Sequence, residues 1–459
     1  MKHTLILSFV FLISLFFNLT AFLFASYPAA YAATHIQAAD SPADPLLAVC
    51  SSQENPAAFN TFITWRKLDS AVSYELELWT QIPPATETTA FTPFFSTKNI
   101  YVNGYNVNLP KDYSADHFYW HVRALNLDGT PISPWTNTGI VYVDKTKDVT
   151  VKPIPTSHFN QERGSILLYP VYTWIPVNGA DKYEVEILNA PPENPNGNTP
   201  SAHRIATLTA TGFDAYDTTP RISSEPFYWR VRALDENGEP ISVYSDASRF
   251  IVNPADNFQV ATFGDSITHG GGSLSYSPAD LEFSYQHFLD FPTINLGLSG
   301  DTSAGMLERF DRDVVPFHPQ YLIILGGTNS LRGGVPAESV IADLKAIEEK
   351  CIEHNIQPIL LTLPPINPDN IQRAFGEPTA ADWQESFAAV NTFIRTQPHI
   401  DLAARFQQEG EILPTALALD GIHMDTAGKK LMAEVINENW TQITSESPSA
   451  ARTSQHTLR

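Results

Sequence analysis

Two cysteines in 459 residues, Cys50 and Cys351, cannot staple a chain of this size, so the fold must rest on apolar cores. In "SVIADLKAIEEKCIEHN", Val340, Leu344, Ile347 and Cys351 recur at helical spacing, which reads Cys351 as a small buried apolar residue. A Cys50–Cys351 bridge is the alternative. Basic residues are scarce as well. Lys and Arg number 28 against 50 Asp and Glu, a formal net charge of −22 that repels phosphate backbones and excludes nucleic acid as a partner. No HExxH, cysteine cluster or calcium loop is present, so no metal or other cofactor is expected. The glycines of "GDSITHGGG" are not followed by Gly-Lys-Ser/Thr, which removes a phosphate loop.

What is present begins with "MKHTLILSFVFLISLFFNLTAFLFASYPAAYAAT": one early Lys, a long apolar run, and Ala30-Tyr31-Ala32 as a small-x-small cleavage site. Residues 1–32 read as a secretory signal, which makes the protein secreted, periplasmic or cell-surface. An uncleaved anchor is the alternative, because Leu5 to Ala25 approaches the ~20 residues that span a bilayer. "LLAVC" is not taken as a lipid-attachment site: it lies well past the apolar run, and Val49 precedes Cys50. Residues 33–47 read as a linker and 444–459 as a disordered tail, both small, polar and without periodicity.

The first half repeats itself. "FITWRKLDSAVSYELELW" returns as "VYTWIPVNGADKYEVEIL", and "FYWHVRALNLDGTPIS" as "FYWRVRALDENGEPIS". Trp65 recurs as Trp174, Tyr74 as Tyr183 and Trp120 as Trp229, each 109 positions on, so the register never slips. Alternation is two-residue: Phe118, Trp120, Val122 and Ala124 face one way, and Tyr119, His121 and Arg123 the other. Asp-Gly and Asn-Gly then mark tight turns. The pattern predicts β-sandwiches over 48–146 and 153–254, with the tryptophans in their cores. The early-strand Trp, the following Tyr and "WRVRAL…NGEPIS" resemble fibronectin type III domains. Such units would be spacers or docking modules making glycan or cell-surface contact.

From 257 to 443 the grammar changes. The runs "FQVATF", "TINLGL", "YLIILG", "PILLTL" and "IDLAARF" alternate with helical stretches, Ser339–His354, Ala381–Thr396 and Thr426–Trp440. This predicts an α/β domain of three layers around a parallel sheet. In such a sheet the productive crevice lies beyond the carboxyl ends of the strands. Gly264-Asp265-Ser266, Ser299-Gly300-Asp301, Gly326-Gly327-Thr328-Asn329 and Asp420-Gly421-Ile422-His423 stand there or ahead of the last helix.

Acyl transfer needs a nucleophile, a base, a group that orients the base, and donors for the developing oxyanion. Ser266 suits the first, His423 the second and Asp420 the third, while Ser266 N–H, Gly300 N–H and the Asn329 amide are the donors. Each block alone could be a turn or a helix cap. His269 reads as a polar loop residue, and Asp265 and Asp301 as acceptors that fix their loops. Thr268 breaks G-x-S-x-G, so the α/β-hydrolase elbow is disfavoured.

Together the blocks resemble the GDSL/SGNH hydrolases, over essentially the whole third domain, with "SGDTSAGML" and "LGGTNSLRGG" most similar to the secreted esterase and lysophospholipase branch. The resemblance implies a flavodoxin-like fold and an exported serine esterase acting through an acyl-enzyme. It would act on short-chain acyl esters or acetylated carbohydrate, small or polymeric; the alternatives are a lysophospholipase or lipase on longer chains, or a surface-binding module with a degenerate hydrolase domain. One departure is Ser330 where the family often has Asp after the Asn. "PPINPDNIQRAFGEPTAADW" reads as a substrate-facing loop, with Phe375 and Trp383 lining a pocket.

Overall fold

The computed structural model describes residues 51–445, apart from 69–70, 85–90, 127, 158, 161–165 and 272–278. The expected signal, linker and Cys50 lie outside the described residues. So does most of the expected tail, although its first two residues belong to a helix that runs to Ser445.

Alternation in the first repeat produces β1 (Asn60–Thr64), β2 (Ser73–Trp79), β3 (Phe95–Ile100), β4 (Gly104–Asn108), β5 (His117–Leu125) and β6 (Gly139–Tyr142). They form the sheets β3-β2-β5-β6 and β1-β4. The second repeat gives β7 (Ile154–Pro155), β8 (Val171–Ile175), β9 (Lys182–Leu188), β10 (Arg204–Ala210), β11 (Asp214–Tyr216), β12 (Phe227–Leu234) and β13 (Ser248–Phe250), in the sheets β10-β9-β12-β13 and β11-β8-β7. In each unit inward residues of both sheets share one core, and Trp65, Trp174, Trp120 and Trp229 are buried there. The repeat is kept to the hydrogen bond. Leu68 N–H donates to the Tyr74 hydroxyl at 3.1 Å, and Val177 N–H to the Tyr183 hydroxyl at 2.9 Å.

The third domain is built on β14 (Val260–Gly264), β15 (Thr293–Asn295), β16 (Tyr321–Leu325), β17 (Gln357–Leu361) and β18 (His399–Ile400), all parallel, in the order β15-β14-β16-β17-β18. Its helices are α1 (Ser266–His269), α2 (Ser303–Asp313), α3 (Thr328–Arg332), α4 (Ala337–Glu353), α5 (Pro368–Phe375), α6 (Trp383–Ile394), α7 (Leu402–Gln407) and α8 (Thr426–Ser445). β14 and β16 are buried at every residue, as strands covered on both faces must be. Helices α2, α4 and α6 pack side by side, and α8 packs with α7 and the turns around Leu281–Phe288.

Two expectations change. "IDLAARF" gives only the two-residue β18, because the Asp401 carboxylate accepts from Ala404 N–H and starts α7 at Leu402. The segment read as a substrate loop contains α5, capped by the Asn367 side chain and ended by left-handed Gly376. Cys351 is buried with a free thiol, as its helical spacing indicated, and burial pushes that thiol up to about 12.

The larger surprise is how the second β unit meets the third domain. Leu168 N–H donates to Asn295 O at 2.9 Å and Asn295 N–H to Ile166 O at 3.0 Å, a parallel extension of the sheet beyond its β15 edge. Ile166, Leu168, Tyr169 and Val252 belong to the same apolar cluster as Val260, Phe263 and Ile294. The first unit reaches over too, with Lys67 Nζ 2.5 Å from Asp280 and 2.9 Å from Glu282. These units are therefore not separate beads on a string.

Candidate active site

After β14 the chain turns at once into α1. Gly264 permits this, because a Cβ there would stand 2.2 Å from Leu325 O. The Asp265 carboxylate accepts from Ile267 N–H at 2.9 Å and caps α1, leaving Ser266 as its first residue. Chain order runs from β14 to the β15 edge and back across to β16, so β14 is the switch point where a crevice opens.

From the far end of the domain, the loop before α8 brings in Asp420 and His423. Asp420 Oδ1 accepts from the backbone N–H groups of His423 (2.8 Å) and Ile422 (3.0 Å). Its Oδ2 lies 2.9 Å from His423 Nδ1, and His423 Nε2 lies 2.8 Å from Ser266 Oγ. Ser266 is 4 % exposed and His423 8 %. Burial acts to raise the Asp420 pKa, but the hydrogen bonds and charge of His423 outweigh it and hold this carboxyl below its usual range. The arrangement orders a proton path from hydroxyl to imidazole, with a carboxylate fixing the ring.

Gly300 follows β15 in the left-handed region, φ +82°, which explains the glycine by backbone conformation. Asn329, the second residue of α3, donates from Nδ2 to Asp301 O at 2.9 Å and accepts from Arg332 Nε at 3.2 Å. Among the described residues the other N–H of that amide meets no acceptor and can serve a further one. Three adjacent strand ends thus deliver Ser266, Gly300 and Asn329.

Sequence reasoning missed the groups that hold these loops. Arg309, buried on α2, donates to Asp301 Oδ2 (2.6 Å), Asp313 Oδ2 (3.0 Å), Leu296 O (2.8 Å) and Gly264 O (2.9 Å). Lys429, on α8, donates from Nζ to Ile267 O; burial pushes it down to about 7, against the opposing pull of Asp265, Asp420 and Asp425. Burial likewise lifts Asp265 to about 6. Ser330 receives a carboxylate by relay. Its Oγ accepts from Ser303 N–H at 3.0 Å, and Ser303 Oγ donates to Asp343 Oδ2 at 2.6 Å. Nothing in a one-residue motif comparison could supply Asp343, which comes from α4.

His269 is corrected from polar loop residue to buried one. Its Nε2 lies 3.0 Å from Tyr169 O in the second β unit, and burial pushes it down to about 4, so the neutral ring donates there. Phe375 reaches the site: its ring stands edge-on to His423, 5.9 Å between centroids and 90° between planes. Trp383 is placed in the core instead. It is 8 % exposed and packs edge-on to Phe387 at 5.2 Å, because Trp383, Phe387, Val390 and Ile394 share one buried face of α6.

Residues 262–431 match the model of the GDSL-like Lipase/Acylhydrolase family. An uncharacterized lipoprotein of Bacillus subtilis (strain 168), YqeF, is 27% identical over 215 residues, covering 39% of this chain and 88% of the relative. Among solved structures, a lipase/acylhydrolase from Enterococcus faecalis is 19% identical with a TM-score of 0.32, covering 40% of this chain and 94% of its own. A catalytic mutant of an acetylxylan esterase from Geobacillus stearothermophilus is 20% identical with a TM-score of 0.31, covering 39% of this chain and 91% of its own. The chain carries a GDSL-like lipase/acylhydrolase domain as its third domain.

Proposed function

We propose that this GDSL-like lipase/acylhydrolase domain is a serine esterase that cleaves carboxylic esters of short acyl groups through an acyl-enzyme. Ser266 Oγ attacks the ester carbonyl carbon while His423 Nε2 takes its proton. Asp420 holds the imidazole by Nδ1–H and stabilises the imidazolium that forms. The carbonyl oxygen becomes an oxyanion held by Ser266 N–H, Gly300 N–H and the Asn329 amide. Collapse breaks the C–O bond, and the alcohol leaves with the proton from His423. Water then repeats the sequence on the acyl-enzyme, giving the carboxylic acid and regenerating Ser266.

The observation that carries this reading is the unbroken chain Ser266 Oγ, His423 Nε2, His423 Nδ1, Asp420 Oδ2, with contacts of 2.8 and 2.9 Å. Phe375 beside the His423 ring supports a confined space next to the reacting carbon. We read the two β units as fibronectin type III-like. The amino-terminal apolar run and the lipoprotein relative in Bacillus subtilis support a place outside the cytoplasm. No helix among the described residues is long and apolar enough to cross a membrane.

Mass spectrometry after labelling with a serine-directed phosphonate tests the nucleophile. One adduct on Ser266, lost in His423→Ala, is expected; an adduct elsewhere, or none, contradicts the reading.

A further inference from the structure

We infer that Tyr216, in the second β unit, is a positioning residue for the oxyanion loop, so that the active site is completed by a domain outside the hydrolase fold. The inference rests on the esterase reading above and adds to it a residue from another domain.

In the loop after β15 all but one of the backbone N–H groups from Gly297 to Thr302 have an acceptor. Gly297 N–H donates to Asn295 Oδ1 at 2.9 Å, Leu298 N–H to Gly264 O at 3.0 Å, Asp301 N–H to Leu298 O at 3.2 Å, and Thr302 N–H to Asp301 Oδ1 at 2.9 Å. Ser299 N–H donates to the Tyr216 hydroxyl at 3.0 Å. Among the described residues, Gly300 N–H alone in this run has no protein acceptor. A donor left free between engaged neighbours is what an oxyanion site requires. Every acceptor that shapes the loop comes from the third domain, except Tyr216.

The same ring braces the nucleophile's helix. Tyr216 lies edge-on to His269, 4.9 Å between centroids and 77° between planes, and His269 is the last residue of α1. His269 is also held by Tyr169 O, and the Tyr169 hydroxyl donates to Asp313 and accepts from Arg312 at 2.7 Å. Asp313 in turn anchors Arg309, which bonds Gly264 O. One end of the β unit therefore touches two of the three segments that bear oxyanion donors, those of Ser266 and Gly300. A purely adhesive contact would not need a phenol hydroxyl aimed at the peptide before Gly300.

Tyr216→Phe in the full chain keeps the ring on His269 and removes only the acceptor. The expected result is kcat lower by on the order of tenfold with KM little changed, short of the ~10²–10³ lost with an oxyanion donor itself. Tyr172→Phe is the control, since that hydroxyl serves Asp217 within the β unit; it is expected to leave kcat unchanged. Amide hydrogen exchange of the Leu298–Asp301 segment is expected to quicken in Tyr216→Phe. Wild-type kcat in Tyr216→Phe, with Ser266→Ala inactive, overturns the inference and leaves the esterase reading standing. Loss of cooperative melting in Tyr216→Phe overturns it also, by making the hydroxyl a stability element. If the wild type hydrolyses no ester, the esterase reading fails, and exchange decides: unchanged protection at Leu298–Asp301 overturns the positioning role and faster exchange supports it.

Discussion

Leu168 N–H donates to Asn295 O at 2.9 Å in a parallel β-bridge, although one residue belongs to the second β unit and the other to the sheet of the third domain. That single pairing changes what the β units are. A spacer touches its neighbour through a linker, whereas this unit supplies an edge to the catalytic sheet and four side chains to its core.

Deleting residues 51–253 therefore does more than remove a module. It uncovers the β15 edge and strips Ile166, Leu168, Tyr169 and Val252 from the core. At ~1.5–3 kcal/mol for each buried apolar side chain, the loss rivals the ~5–15 kcal/mol stability of a typical domain. Thermal melting of the truncated chain is expected to lose cooperativity or fall far below the full chain. An unchanged Tm would restore the spacer view.

Acid should loosen the same interface. His269 is held near 4 in the fold by burial, against an ordinary value of 6.5. Its depressed pKa contributes stability that is full above pH 6.5 and is lost as pH falls through 4. The amount is on the order of 3 kcal/mol at ~1.4 kcal/mol for each pH unit. Urea midpoints at pH 7 and 4.5 check this, and His269→Gln is expected to flatten the difference.

Phe375 and Trp383, paired in the sequence reading, should separate in experiment. Trp383→Ala is expected to cost about 3–5 kcal/mol of stability, as large core truncations do, with little change in acyl-chain preference. Phe375→Ala is expected to shift that preference toward longer acyl chains at modest cost in stability. Melting curves and rates on an ester series distinguish the two.

Legibility followed locality. The β units were readable because Trp65, Tyr74 and Trp120 recur in fixed register at Trp174, Tyr183 and Trp229, and alternation has one reading on a pleated sheet. The strand-end clusters are legible because a parallel sheet presents its carboxyl ends to one crevice, and Ser266, Gly300 and Asn329 stand at those ends. Trp383 misled because a loop-like composition hid the start of α6 and its buried face. Arg309, Lys429, Asp343 and Tyr216 were invisible for another reason. Each reaches a partner 40 or more positions away, as Arg309 does at Gly264 and Tyr216 at Ser299, and no periodicity encodes such partners.

Initial rates on p-nitrophenyl esters from acetate to palmitate, run beside Ser266→Ala, test whether Ser266 is the nucleophile of an ester hydrolase. Measurable turnover is expected, greatest at short chains and falling to background in the folded mutant. Wild-type rates retained by Ser266→Ala, or no turnover at any chain length by folded wild-type protein, would contradict it.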